Sequence, residues 1–454
     1  MTSFLFDHAL LPDGWARDVR VDVADGAIVR VTPAAPRDGA RHVPGIAVPG
    51  LPNVHCHAFQ KAMAGLAERR GPAHDSFWTW REVMYRFLAA LTPDDVEAIA
   101  AYAYMEMLEA GFTAVGEFHY LHHDIDGRAY ADIGEMCARI AAAATTTGIG
   151  LTLLPSFYAF GGLGGAAPAQ GQRRFLNDPD RFLKLVTRAR EIAAGLPDAT
   201  VGIAPHSLRA VTPETLREVL AGAGDGPVHM HAAEQTKEVD DCIASLGSRP
   251  VAWLLEQADI GPRWCIIHAT HMTPEETAAL ARSGAVAGLC PLTEANLGDG
   301  IFDAGRFMAG KGRFAVGTDS NIEINAAAEL RQLEYAQRLS QRARNVLAER
   351  DGESLGRALY GSALAGGAQA LGRSIGAIAA GRRADVVVLA KDHPDLAGGA
   401  ADLWLDAYVF VAGRRLVDTV IVGGDVLVGA GRHRQHMTIA ERYRRVVARL
   451  AAND

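Results

Sequence analysis

At 454 residues with 49% hydrophobic composition, the chain has room for one domain of about 300 residues and a smaller second one. A formal net charge of −8 and a pI near 6.1 offer no electrostatic attraction to nucleic acid or to an anionic membrane. Five scattered cysteines, Cys56, Cys137, Cys242, Cys265 and Cys290, lack CxxC spacing, which argues against a disulfide framework or zinc ribbon and fits a reducing cytoplasm.

The opening MTSFLFDHALLPDGW lacks the basic-then-apolar pattern of a secretory signal, and no apolar run is long enough to span a bilayer, so a cytoplasmic protein is expected. Residues 1–47 alternate apolar and polar positions around Asp25-Gly26, the pattern of a strand meander. The apolar run Gly45 to Val48 and the turn formers Pro49, Gly50 and Pro52 then lead to His55-Cys56-His57. From there strands at Thr113–Phe118, Gly150–Phe157, Val201–Pro205, Val228–His231, Cys265–His268, Ala285–Leu289 and Phe314–Gly317 join the one ending at His55, making eight. Helices are expected between them at Pro93–Ala110, Tyr130–Thr147, Asp180–Ala194, Pro213–Leu220, Thr236–Ala244, Pro274–Arg282 and Phe302–Met308. Eightfold alternation of strand and helix predicts an α/β fold, a (β/α)8 TIM-type barrel over residues 48–373. Long helices follow at Ala326–Glu349 and Ser354–Leu371, then strands at Ala384–Leu389, Leu405–Val411 and Thr419–Asp425. Residues 1–47 and 374–430 are expected to pair as a small β-sandwich built from both chain ends, and residues 431–454 to carry an amphipathic helix packed on the outside.

Chemistry in a parallel barrel sits at the C-terminal strand ends. His55 and His57, at i and i+2 in extended chain, face one side together while Cys56 points away. Later strands end in His231 with Glu234 three residues on, in His268, and in Asp319. Polar residues so costly to bury, each closing an apolar strand, are poorly explained as packing. Imidazoles with a carboxylate suit Zn²⁺, and Fe²⁺ is served by the same ligands. By contrast His119, His122, His123, His229 and His271 lie beside the pattern but off its register and read as ordinary core histidines.

The ordered set HxH, HxxE, His and Asp, with the return motif Ile378 to Val386, resembles the amidohydrolase superfamily over nearly the whole chain. That resemblance implies a barrel in which one or two metals activate water. Two-metal members use a bridging carboxylated lysine on strand four, and Val201 to His206 contains none, so one divalent ion per subunit is expected, with Zn²⁺ ahead of Fe²⁺. The resemblance then implies His55, His57, His231 and Asp319 as ligands, with Asp319 also taking the water proton. It implies further that His268 stabilises the attacking oxygen, that Glu234 carries a proton to the departing nitrogen, and that the protein is a homodimer.

Five further runs, His57 to Glu68, Asp75 to Arg81, Gly116 to Tyr120, Ala204 to Arg209 and Thr293 to Gly300, are similar to the formimidoylglutamate deiminases of histidine degradation, a branch of that superfamily. The branch implies an anionic small-molecule substrate, N-formimino-L-glutamate, deiminated to N-formyl-L-glutamate and ammonia. A dicarboxylate needs cationic forks and donors, which Arg81 and Arg209 with Gln60, Tyr120 and His206 can supply. Two alternatives follow from the same residues. One is an aminohydrolase of a purine, pterin or other heteroaromatic ring, which calls for a flat apolar slot. The other is a silent barrel serving as a binding protein, which sits poorly with a full set of ligands.

Overall fold

The computed structural model describes residues 1–70 and 75–452. Strands and helices alternate through the middle of the chain, and the helix starts are encoded locally. Helices Pro93–Glu109, Pro179–Ala193, Pro213–Gly222 and Pro274–Ser283 each follow Thr92, Asp178, Thr212 or Thr273, whose side chain accepts a first-turn amide hydrogen bond. Proline suits the first helical position because the N–H it lacks has no intrahelical partner there.

Strands Leu51–Cys56, Phe112–His119, Gly150–Phe157 and Thr200–Val201 pair in that order as parallel neighbours, and Ala204–Pro205 also pairs with Gly150–Phe157. A second parallel sheet runs in the order Val228–Ala232, Trp264–His268, Val286–Leu289, Arg313–Val316. The longer strands are buried along their whole length, as strands covered on both faces must be. Parallel bridges Cys56 to Asp319 and Ile203 to Val228 link the two sheets at both margins. At the first seam the amides of Thr318 and Asp319 donate to the His55 carbonyl at 3.0 and 2.9 Å. Only glycine permits so close an approach, since a Cβ on Gly317 would lie 2.8 Å from the His55 backbone nitrogen and oxygen.

Both chain ends contribute to a third sheet, in the order Arg432–His433, Asp425–Gly429, Val417–Val422, Val386–Leu389, Arg41–Pro49, Thr2–Leu11, Gly14–Ala24, Ala27–Thr32. The sheet curls, because Ile28 donates to Arg382 O at 2.8 Å and Ala384 to Gly26 O at 2.9 Å, so its last strand touches the chain leading into Val386–Leu389. Phe4, Phe6, Val19, Val21, Val386 and Val388 fill the enclosed face. Helix His436–Ala451 packs on Pro93–Glu109, with Tyr443 stacked on Tyr102 at 4.0 Å and Arg442 paired with Glu97 at 2.6 Å. Among the described residues no helix is long and apolar enough to cross a membrane.

Several expectations need correction. Leu405–Val411 is helical, not a strand: Leu403–Ala407 continues as a π-helical turn through Ala412, and Leu405, Tyr408, Val409 and Ala412 are buried at helical spacing. The helix from Ala326 stops at Gln341, where Arg342 takes a left-handed φ of +55°, and the Glu334 carboxylate draws the chain back by accepting from the amides of Val346 and Leu347 at 2.9 and 3.0 Å. The strand expected at Val201–Pro205 is interrupted because Ile203 bridges to the other sheet. Gly45 to Val48 belongs to Arg41–Pro49 of the curled sheet, and the first parallel strand begins at Leu51. Helices Phe77–Leu88, Pro250–Gln257 and Pro291–Leu297 were not anticipated.

Fully buried Asn53 braces the seam: Nδ2 donates to Thr318 Oγ1 at 2.7 Å, and Oδ1 accepts from the amides of Thr318 and His55 at 3.1 and 3.3 Å. Asn53→Ala strands those groups and should cost about 2–4 kcal/mol, read as a lower urea midpoint for the metal-free protein. An unchanged midpoint would mean that the backbone holds the seam unaided.

Candidate active site

The residues that close the parallel strands gather at one end of the two sheets. Four of the positions there are non-glycine residues in the left-handed region, Ala233 at +53°, His268 at +67°, Ala269 at +49° and Asp319 at +44°. Such conformations cost about 1–2 kcal/mol each and persist where neighbours over-determine them. Here the bracing is backbone pairing between strand ends, Ala269 N to Ala232 O at 3.0 Å, His271 N to Ala233 O at 2.9 Å and His57 N to Asp319 O at 3.0 Å.

His57 Nδ1 donates to Phe118 O and His231 Nδ1 to His206 O, each at 2.8 Å. A carbonyl only accepts, so in the neutral rings both Nε2 atoms carry bare lone pairs. His55 Nε2 lies 3.1 Å from His231 Nε2 and 3.4 Å from Asp319 Oδ1, and His57 Nε2 is also 3.4 Å from Asp319 Oδ1. Burial lowers the proton affinity of all three imidazoles, that of His55 to about 3, which keeps them in the ligand form. Burial alone would raise the Asp319 carboxyl, but the surrounding imidazoles of His55, His57 and His268 hold it below the usual range. Lone pairs converging on a carboxylate repel one another unless a cation lies between them. Three nitrogens and an oxygen, all buried, therefore fit a divalent metal such as zinc.

Beyond this cluster opens a cavity lined by His57, Gln60, Arg81, Tyr120, His206, Arg209, His231, Glu234, His268 and Asp319, so every residue singled out from sequence lines it except His55, which lies deeper. Gln60 Nε2 donates to Tyr120 Oη at 2.7 Å. Arg209 Nη2 donates to Glu234 Oε2 at 3.0 Å, and its Nε stands 3.8 Å from Glu238. The Arg81 guanidinium lies 4.6 Å over the Trp78 ring. Gln60 Oε1, Arg81 Nε and Arg209 Nε are buried without hydrogen-bond partners among the described residues, leaving polar capacity at the cavity wall. His268 Nε2 sits 3.8 Å from Glu234 Oε1 and 3.9 Å from Asp319 Oδ2, between the two carboxylates.

Four of the off-register histidines give a ring nitrogen to a carbonyl, His122 to Ser156, His123 to Leu176, His229 to Ala370 and His271 to Asp299. Phe77, Trp80, Met84, Tyr158 and Phe175 also line the cavity and were not anticipated. The aromatic run Phe77 to Trp80 was the only sign of them in the sequence.

The amidohydrolase family model matches residues 46–427. The chain belongs to the amidohydrolase family. Residues 2–42 match the N-terminal domain of formimidoylglutamate deiminase HutF. The formimidoylglutamate deiminase of Pseudomonas aeruginosa is 53% identical over 437 residues, covering 95% of this chain and 96% of that protein. A crystal structure of an amidohydrolase from Brucella melitensis, 51% identical, superposes with a TM-score of 0.95 over 99% of this chain and 100% of that one. The amidohydrolase fold extends to an adenosine deaminase from Xanthomonas campestris crystallised with bound zinc, 22% identical with a TM-score of 0.82 over 99% of this chain and 98% of that one.

If the four donors share one cation, Zn²⁺ titrated into metal-free protein should bind with one equivalent per chain, and His57→Ala or Asp319→Ala should weaken binding about 100-fold or more. Equal affinity in the variants would place the ion elsewhere.

Proposed function

We propose that this amidohydrolase hydrolyses N-formimino-L-glutamate to N-formyl-L-glutamate and ammonia, a reaction of histidine degradation. As a family member the chain is a hydrolytic enzyme acting on C–N bonds. The observation that carries the substrate reading is the pair of guanidiniums, Arg81 and Arg209, on the wall of a cavity whose floor is the donor cluster. Two cationic forks suit a dicarboxylate better than a neutral ring. Likeness to the Pseudomonas enzyme along 95% of the chain supports the same reading.

In this account His55, His57, His231 and Asp319 hold one divalent ion, Zn²⁺ ahead of Fe²⁺. Such an ion lowers the pKa of water toward about 7 and so supplies a nucleophile at neutral pH. Arg81, Arg209, Gln60, Tyr120 and His206 bind the glutamate portion and turn its formimino carbon toward the cluster. Asp319 accepts the proton released as water adds to that carbon, and His268 donates to the incoming oxygen. Glu234 gives its proton to the formimino nitrogen as water adds. The proton held by Asp319 then reaches the same nitrogen while the adduct's hydroxyl returns one to Glu234, and the C–N bond breaks to release ammonia and leave the formyl carbonyl. Since Arg209 is paired with Glu234 in this structure, engaging a substrate carboxylate exchanges one carboxylate for the other and frees Glu234 for proton transfer.

The same reading takes the two parallel sheets, bridged at both margins, as one closed (β/α)8 barrel over residues 48–373, and the curled sheet as a β-sandwich of residues 1–47 and 374–430. Residues 431–454 add the outer helix; 71–74, 453 and 454 lie outside the described residues. Five buried free cysteines fit a reducing cytoplasm. A homodimer belongs to the same reading on likeness to the family alone.

Ammonia release from N-formimino-L-glutamate, set beside a panel of aminopurines and pterins, tests the substrate. Turnover of the formimino compound alone is expected, and Arg209→Ala should lower its kcat/KM about 100-fold or more. Activity on the purines alone would overturn the substrate while sparing the fold.

A further inference from the structure

The run Thr293 to Gly300 has no part in the chemistry above, yet it forms the wall behind His268. Helix Pro291–Leu297 starts at the end of strand Val286–Leu289, and the Thr293 hydroxyl donates to the Thr318 carbonyl at 3.1 Å, beside Asp319. One residue on, the Glu294 carboxylate turns inward, 5% exposed. Its Oε1 lies 3.2 Å from His268 Nδ1 and accepts from the Cys290 amide at 2.9 Å. We propose that Glu294 is a positioning residue for the reaction, fixing which nitrogen of His268 faces the reacting atoms and in what orientation. The proposal rests on the hydrolytic reading above and adds a residue to it.

A carboxylate accepts only, so the proton on His268 Nδ1 is committed to Glu294 and all exchange takes place at Nε2. Nε2 is the atom lying between Glu234 and Asp319, at 3.8 and 3.9 Å. Without Glu294 the ring is free to flip, which would carry Nε2 away from the two carboxylates. The backbone of His268, at φ +67°, is braced through the next residue, Ala269, but among the described residues no other side chain hydrogen-bonds its ring. The grouping of His268, Cys290 and Glu294 also has the composition of a cation site. The hydrogen bond accounts for it without an ion, because a protonated Nδ1 has no lone pair to give.

Glu294 also caps its own helix through the Cys290 amide, so loss of activity in one variant would not separate positioning from folding. The test compares Glu294→Gln, which keeps an acceptor oxygen, with Glu294→Leu, which keeps only bulk. Steady-state kinetics on the metal-loaded enzymes with N-formimino-L-glutamate accompany proton NMR of the metal-free proteins. In the wild type a downfield single-proton signal from an imidazole N–H held by a carboxylate is expected, absent in a His268→Gln control. It should vanish in Glu294→Leu and move upfield in Glu294→Gln. Glu294→Leu should lower kcat about 100-fold with KM and metal content nearly unchanged, and Glu294→Gln should recover about tenfold of that. Unchanged kcat in both variants, or a parallel fall in substrate affinity and metal content, would overturn the proposal. Should the wild type fail to turn over this substrate, the substrate reading falls and the NMR signal judges Glu294 alone: its absence from the wild type would end the idea.

Discussion

The structure depends on the seam where the first and last parallel strands meet. Asp319 N donates to His55 O, and Asp319 O accepts from His57 N, so residues more than 260 positions apart in the chain are locked in register by backbone hydrogen bonds. That register delivers two imidazoles from one strand and a carboxylate from the other to within 3.4 Å. Asn53 and Gly317 serve this contact, one by pairing across it and the other by leaving room for it. His231 joins from the second sheet, held by the His206 carbonyl, which itself belongs to the loop that supplies the cavity with His206 and Arg209.

Around this centre the charges are layered. The proposed ligands are buried and neutral but for Asp319, Arg81 and Arg209 stand at the outer wall, and the acids Glu238 and Glu294 lie behind. Glu238 accepts from the amides of Ala233 and Glu234 at 3.3 and 3.2 Å, pinning the strained turn that carries Glu234. His268 responds to the same layering: burial disfavours its charged form, yet Glu234, Glu294 and Asp319 together push its pKa to about 10. The centre is thus held by the backbone, and its orientation is refined by carboxylates outside the ligand set.

What could be read from the sequence follows from which signals are local. HxH was legible because alternation along a strand is a property of two residues, and His231, His268 and Asp319 because each closes an apolar run. Helix starts at Pro93, Pro213 and Pro274 were legible for the same reason. Glu294 and Glu238 were not, since a glutamate on a short helix ordinarily faces solvent, and only the packing of that helix against a neighbouring strand turns it inward. Leu405–Val411 was misread because a run of aromatic and β-branched residues has strand composition, whereas its burial repeats every three to four residues. Part of the cavity's aromatic lining, Phe77, Trp80 and Tyr85, comes from Phe77–Leu88, a helix whose placement over the strand ends is set by tertiary contacts.

The central claim is that four donors from three separate strand ends hold a single cation. Anomalous diffraction at the absorption edge of the bound metal tests it most directly. One peak per chain, enclosed by His55, His57, His231 and Asp319, is the result expected; a peak elsewhere, or a second of comparable height beside the first, would contradict it.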